Sequence, residues 1–144
     1  MIETIIFKKK IYAIIIKSNF HKKEINFFTK KNHSLQLGYI NYKKNHEIKS
    51  HYHPKIKKII YDTNEVLLIK KGKIRIDFFE KKNKKKYLKS KILKKNDIIL
   101  IINGGHGFKV IEEVSIVEIK QGPYQLKDDK IQIHSKIKKI ELIK

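Results

Sequence analysis

The chain has no cysteine, only 2 prolines, and a single arginine among its 35 basic residues. Without thiols there is no disulfide framework, no cysteine nucleophile and no thiolate zinc site, which fits a reducing compartment. Pro54 and Pro123 both fall at turns and no interdomain linker is visible, so 144 residues read as one domain. No apolar run approaches the roughly 20 residues of a membrane-spanning helix. The run from Ile11 to Ile16 is strand-length and bounded by lysines, with neither the leader nor the cleavage site of a secretory signal. The expectation is a cytoplasmic, soluble protein with no membrane association. Helical periodicity with caps is also missing.

Charge of one sign dominates: 35 basic residues against 14 acidic ones give a formal net charge of +21. The lysines are spread along the whole chain, and Arg75 alone offers the planar fork that reads phosphates and guanine edges. A dedicated nucleic-acid partner is therefore not expected. An AT-rich coding sequence would favour isoleucine and asparagine and raise lysine with them. Attraction of small anionic ligands, phosphorylated or nucleotide-linked, is the milder inference.

What the chain does have is short runs of isoleucine, valine, tyrosine and phenylalanine separated by lysine, asparagine and glycine. That pattern predicts an all-β sandwich or barrel. Strands are expected at 2–7, 11–17, 24–28, 35–43, 46–52, 56–61, 64–71, 73–80, 87–93, 97–102, 106–112 and 115–121, with a weaker one at 131–134. Runs 64–71 and 73–80 read as a hairpin turning at Gly72, with Ile74, Ile76 and Phe78 on one face. The lysine-rich segment 81–86 reads as a solvated loop tip.

Three places carry chemistry. His51 and His53 lie two apart, so on a strand both imidazoles face one space. They are either two ligands of one metal or an exposed pair on a lysine-rich surface. Glu65 opens a strand and shares its face with Leu67 and Ile69, where a cation would keep a buried carboxylate ionised. Its alternative is a surface glutamate at the strand mouth. His106 follows Gly104-Gly105 and precedes Gly107, which suggests close backbone approach; the alternative is an ordinary glycine turn with a half-exposed histidine.

Together these residues resemble the two motifs of the cupin superfamily over about 35–122. The His51-x-His53 pair, Glu65 and Gly72 match the first motif, with six residues between Glu65 and Gly72 as it requires. In the second, Asn96-Asp97 stands where a Gly-Asp usually opens it, Gly104 holds its glycine and His106 its histidine, with one residue lost before His106. Eleven residues separate His53 from Glu65 where the motif has three or four, and Asn45 and Ile102 replace the leading glycine and the proline. The resemblance implies a double-stranded β-helix, or jelly-roll barrel, often a homodimer. It also implies a divalent metal (Fe, Mn, Zn or Ni) held by His51, His53, Glu65 and His106. Strands 1–34 would precede the barrel core and residues 123–144 extend it.

Around that centre, alternation puts Glu118 and Lys120 opposite Val117 and Ile119, either inside the barrel as acid–base and substrate-binding groups or outside as a salt bridge. Tyr61 and Tyr124 are candidates to close the mouth, Tyr61 as a substrate contact and Tyr124 with a catalytic role. The pattern, including the terminal Lys-Gln-Gly-Pro-Tyr, is similar to small single-domain cupins associated with bacterial surface-polysaccharide biosynthesis. It implies a metal-dependent sugar or sugar-nucleotide isomerase or epimerase. The competing readings are a non-catalytic metal or small-ligand binding module and a metal-dependent dioxygenase.

Overall fold

In the computed structural model, which describes residues 1–81, 86–123 and 130–144, the chain is all β, with no helix among the described residues. The strands are β1 (Ile2–Phe7), β2 (Lys10–Ile16), β3 (Glu24–Phe27), β4 (Gly38–Asn41), β5 (Glu65–Phe79), β6 (Tyr87–Lys94), β7 (Ile98–Ile101) and β8 (Gly105–Lys120). Six of them form one antiparallel sheet in the order β1-β2-β7-β5-β6, with β8 along the other edge of β5. The sheet curls into a half-barrel. β3 and β4 make a separate two-stranded sheet.

Apolar alternation decides what lies on each face. Ala13, Ile15, Leu67, Ile69, Ile74, Ile76, Phe78, Leu93, Ile99 and Ile101 pack together on the concave side. Ile14, Ile16 and Leu100 pack on the other side against Leu37, Phe20, Phe28 and Leu35, from the segment carrying β3 and β4. β2 and β7 are thus covered on both faces, which is why their sequences read as unbroken apolar runs. The outer strands of the path also meet. Glu3 of β1 and Lys91 of β6 form a largely buried ion pair, and the Lys91 ammonium donates to the Lys144 carbonyl at 3.0 Å. Contact between the two ends of a strand order is what a sheet bent toward closure produces.

The hairpin expected over 64–80 is instead one strand. β8 pairs with β5 along its whole length, from Glu65↔Lys120 to Phe79↔Gly105, so the chain passes through Gly72 without reversing. The register shifts on either side of Gly72, where φ is +77°, turn the ribbon sharply. A Cβ at Gly72 would lie 1.8 Å from the Glu113 carbonyl oxygen, so β8 follows the bend in tight contact. The runs 106–112 and 115–121 likewise merge into β8. The expected strand over 35–43 shortens to β4, and 46–52, 56–61 and 131–134 form none. Their alternation has no neighbouring strand to bury it, and Ile56 and Ile59 stay exposed. Residues 82–85 of the lysine-rich tip lie outside the described residues.

The β6–β7 turn shows why Asn96-Asp97 suits its place. Asn96 takes φ +66°, a conformation asparagine tolerates better than most residues. Fully buried Asp97 accepts from the Ser18 amide at 2.8 Å and the Lys94 amide at 3.0 Å, and pairs with Lys17. A buried carboxylate survives there because hydrogen-bond donors and a cation surround it.

Candidate functional site

Glu65 and Phe78 are 13 positions apart on β5. A straight strand would separate them by roughly 40 Å at about 3.3 Å per residue. His106 pairs with Phe78, yet its Nε2 lies 2.9 Å from Oε2 of Glu65. The bend at Gly72 therefore brings the two ends of the β5–β8 ribbon together, and this pair marks where they meet.

The turn before His106 is fixed from two sides. The Ile102 and Asn103 amides donate to the Tyr12 carbonyl, at 2.8 and 3.3 Å. Gly104 takes φ +77°, and a Cβ there would lie 2.2 Å from the Tyr12 ring; one on Gly105 would lie 2.2 Å from Ile133. Only glycine satisfies the Gly104 position, as the sequence suggested for the approach to His106.

The Glu65 carboxyl is held below the usual carboxylate range. The hydrogen bond from His106 is the main cause; burial opposes it, and the His106 ring and the charges of Lys120 and Lys130 add to it. Because Nε2–H is engaged with the carboxylate, Nδ1 is the ring atom left for other partners, and it is buried without one among the described residues. Gln121 is similar. Its Oε1 accepts from the Asn64 amide at 2.9 Å, which identifies the oxygen and leaves Nε2 a buried donor without a partner. Asn64 itself accepts from Ser34 at 3.1 Å and donates to the Ile102 carbonyl at 3.3 Å. Two buried polar atoms without partners thus flank Asn64-Glu65. Groups of this kind cost folding free energy unless something else meets them.

The other expected residues are placed as follows. His51 and His53 lie in the strand-free segment that precedes β5, both exposed, with ring centroids 5.3 Å apart. His51 Nδ1 lies 2.9 Å from the Lys49 carbonyl, so that nitrogen is the donor and Nε2 keeps its lone pair. The structure joins Glu65 to His106 and His51 to His53, but it does not join the two pairs. No cluster of three or more histidine, aspartate or glutamate side chains fit to hold a metal occurs among the described residues. As placed, Glu65 and His106 form a carboxylate–imidazole dyad. Lys120 stands opposite Glu65, and Glu118 opposite the core residue Leu67, so both belong to the concave side although Glu118 is exposed. Tyr61 is 90 % exposed. Tyr124 lies outside the described residues.

Gln121 was not legible as a site residue. Its orphan donor exists only because the Asn64 amide occupies its oxygen, and no spacing signals that. No protein-family profile, curated protein or solved structure matches this chain. No helix among the described residues is long and apolar enough to cross a membrane.

Proposed function

We propose that the chain is a cupin-like jelly-roll barrel that isomerises or epimerises a sugar or sugar nucleotide, with Glu65–His106 as its acid–base dyad. The observation that carries this reading is the 2.9 Å contact between Glu65 and His106, made by opposite ends of one bent ribbon. An ionised carboxylate on Nε2–H fixes the tautomer and the orientation of the imidazole. Nδ1 then removes a proton from the carbon beside a substrate carbonyl, and the electron pair moves onto the carbonyl oxygen as an enediolate. The resulting imidazolium protonates the former carbonyl carbon, while the adjoining hydroxyl passes its proton to the alkoxide oxygen and becomes the new carbonyl (isomerisation). Inversion at the first carbon (epimerisation) instead takes a proton from water on the opposite face. Gln121 Nε2 is a donor suited to the enediolate oxygen. Lys120 and Lys130 supply positive charge beside it.

The test is deuterium exchange from heavy water into a panel of keto-sugar nucleoside diphosphates, followed by NMR. The parent exchanges protons flanking the carbonyl, and His106→Gln loses exchange by about a hundredfold or more, the usual scale of a general base. Undiminished exchange in His106→Gln contradicts the assignment.

A second reading is favoured by His51, whose Nε2 lone pair is free for a ligand. In it the exposed segment carries His51 and His53 over the mouth, and with Glu65 and His106 they hold a divalent metal, Fe, Mn, Zn or Ni. Such a metal would polarise the carbonyl. Equilibrium dialysis against each metal tests it: stoichiometric uptake that His51→Ala/His53→Ala abolishes supports this reading, and uptake unchanged in that variant removes it.

A further inference from the structure

Three strands end the sheet, and two of them are engaged elsewhere. β1 and β6 meet through Glu3 and Lys91, and the Ser90 backbone of β6 bonds to Glu141 and Ile143 at 2.8 and 2.7 Å. β8 differs. Among the described residues it pairs with β5 alone, so the backbone donors and acceptors of its other edge face outward. Every residue from Phe108 to Glu113 is exposed, with Phe108, Val110 and Ile111 at 45, 53 and 48 %. An exposed apolar edge of this kind is a template for a further strand. We infer that the strand it takes is β8 of a second copy of this chain, running antiparallel to the first about a two-fold axis at Ile111.

Charge decides which partner fits. Two copies of a chain with net charge +21 repel each other, so an interface between them must avoid setting lysine on lysine. β8 meets that condition. It holds Lys109 and Lys120 against Glu112, Glu113 and Glu118, and no lysine lies between Val110 and Ile119. By contrast, β6 carries Lys89, Lys91 and Lys94 with no acidic residue. Lysine is a usual guard against pairing at a sheet edge, and this lysine-rich chain leaves it out of the exposed apolar stretch. With the axis at Ile111, that residue faces its own copy. Lys109 of each copy then stands opposite Glu113 of the other, and Phe108 opposite Val114. Glu112 and Glu113 are met from the β5 side by Lys73 and Lys71, so pairing strands no carboxylate. The contact is self-complementary: one surface serves both molecules, as a two-fold interface requires. Backbone hydrogen bonds supply the affinity, and the alternate side chains supply the specificity.

The experiment is sedimentation velocity over a concentration series. It compares the parent with Val110→Lys/Ile111→Lys, Lys109→Glu, Lys109→Glu/Glu113→Lys and a charge-matched control, Ile56→Lys/Ile59→Lys. All of these positions are exposed, so the variants leave the core intact, and a urea melt of each checks the fold. The parent should be a dimer at micromolar concentration. The edge variant gathers lysines from both copies about the axis and should weaken association about a hundredfold or more, the scale of like charges juxtaposed at an interface. Lys109→Glu sets glutamate opposite Glu113 and should weaken it about tenfold, and the charge swap should restore it. The control should dimerise as the parent does. A monomeric parent overturns the inference, as do a dimer that the edge variant leaves intact, an equal loss in the control, or no recovery in the swap. The interface does not depend on the reaction proposed above, and proton exchange tests that reaction separately.

Discussion

Glu65 shows how one side chain links folding to chemistry. Its folded pKa is depressed, chiefly by the His106 hydrogen bond. A depressed carboxylate pKa contributes stability that is present above the unfolded value of about 4.3 and is lost as pH falls through the folded value. Glu65→Gln, which cannot ionise, should therefore show a shallower decline of urea midpoint on acidification below that point. An unchanged acid slope would mean that the carboxylate gains nothing from its surroundings. At this scale the sequence was informative where residue type constrains geometry. Gly104 before His106, and Glu65 in phase with Leu67 and Ile69, could be read directly. His51 and His53 could not be placed, because the two-residue rule aims both rings together only on a strand, and the segment around them forms none.

The elements repeat that lesson. β2 and β7 were legible because burial on both faces demands continuous apolar sequence. The bend in β5 was not, because a glycine at positive φ serves a reversal and a bend equally well. The outcome depends on which edge β8 takes, a long-range fact. Gly72→Ala introduces a Cβ against the Glu113 carbonyl and forces alanine into left-handed φ, at a cost of more than about 1 kcal/mol. We expect it to lower the urea midpoint and to reduce proton exchange further, since the bend sets the dyad. Lys70→Ala, an exposed neighbour, should stay within about 0.5 kcal/mol of the parent. Equal stability of the two variants would show that the ribbon does not depend on this turn.

For the whole molecule, the curl of the sheet makes neighbours of β1 and β6 through Glu3 and Lys91. Removing one member of a largely buried pair strands the other, at about 3 kcal/mol, whereas replacing both with apolar groups can be nearly neutral. Glu3→Leu should thus destabilise strongly and Glu3→Leu/Lys91→Met should recover most of the loss, read from urea melts; additive losses would contradict the closure. The all-β class was readable from composition and alternation, but the degree of curl was not, since it is set by pairings between distant strands. Everything proposed for the site depends on that curl. Its most direct test is a nuclear Overhauser spectrum of the labelled parent. The account predicts cross-peaks between the His106 ring protons and the Glu65 γ-methylene, alongside those from His106 to its strand partner Phe78. Cross-peaks to Phe78 with none to Glu65 would mean the ribbon stays open and the dyad does not form.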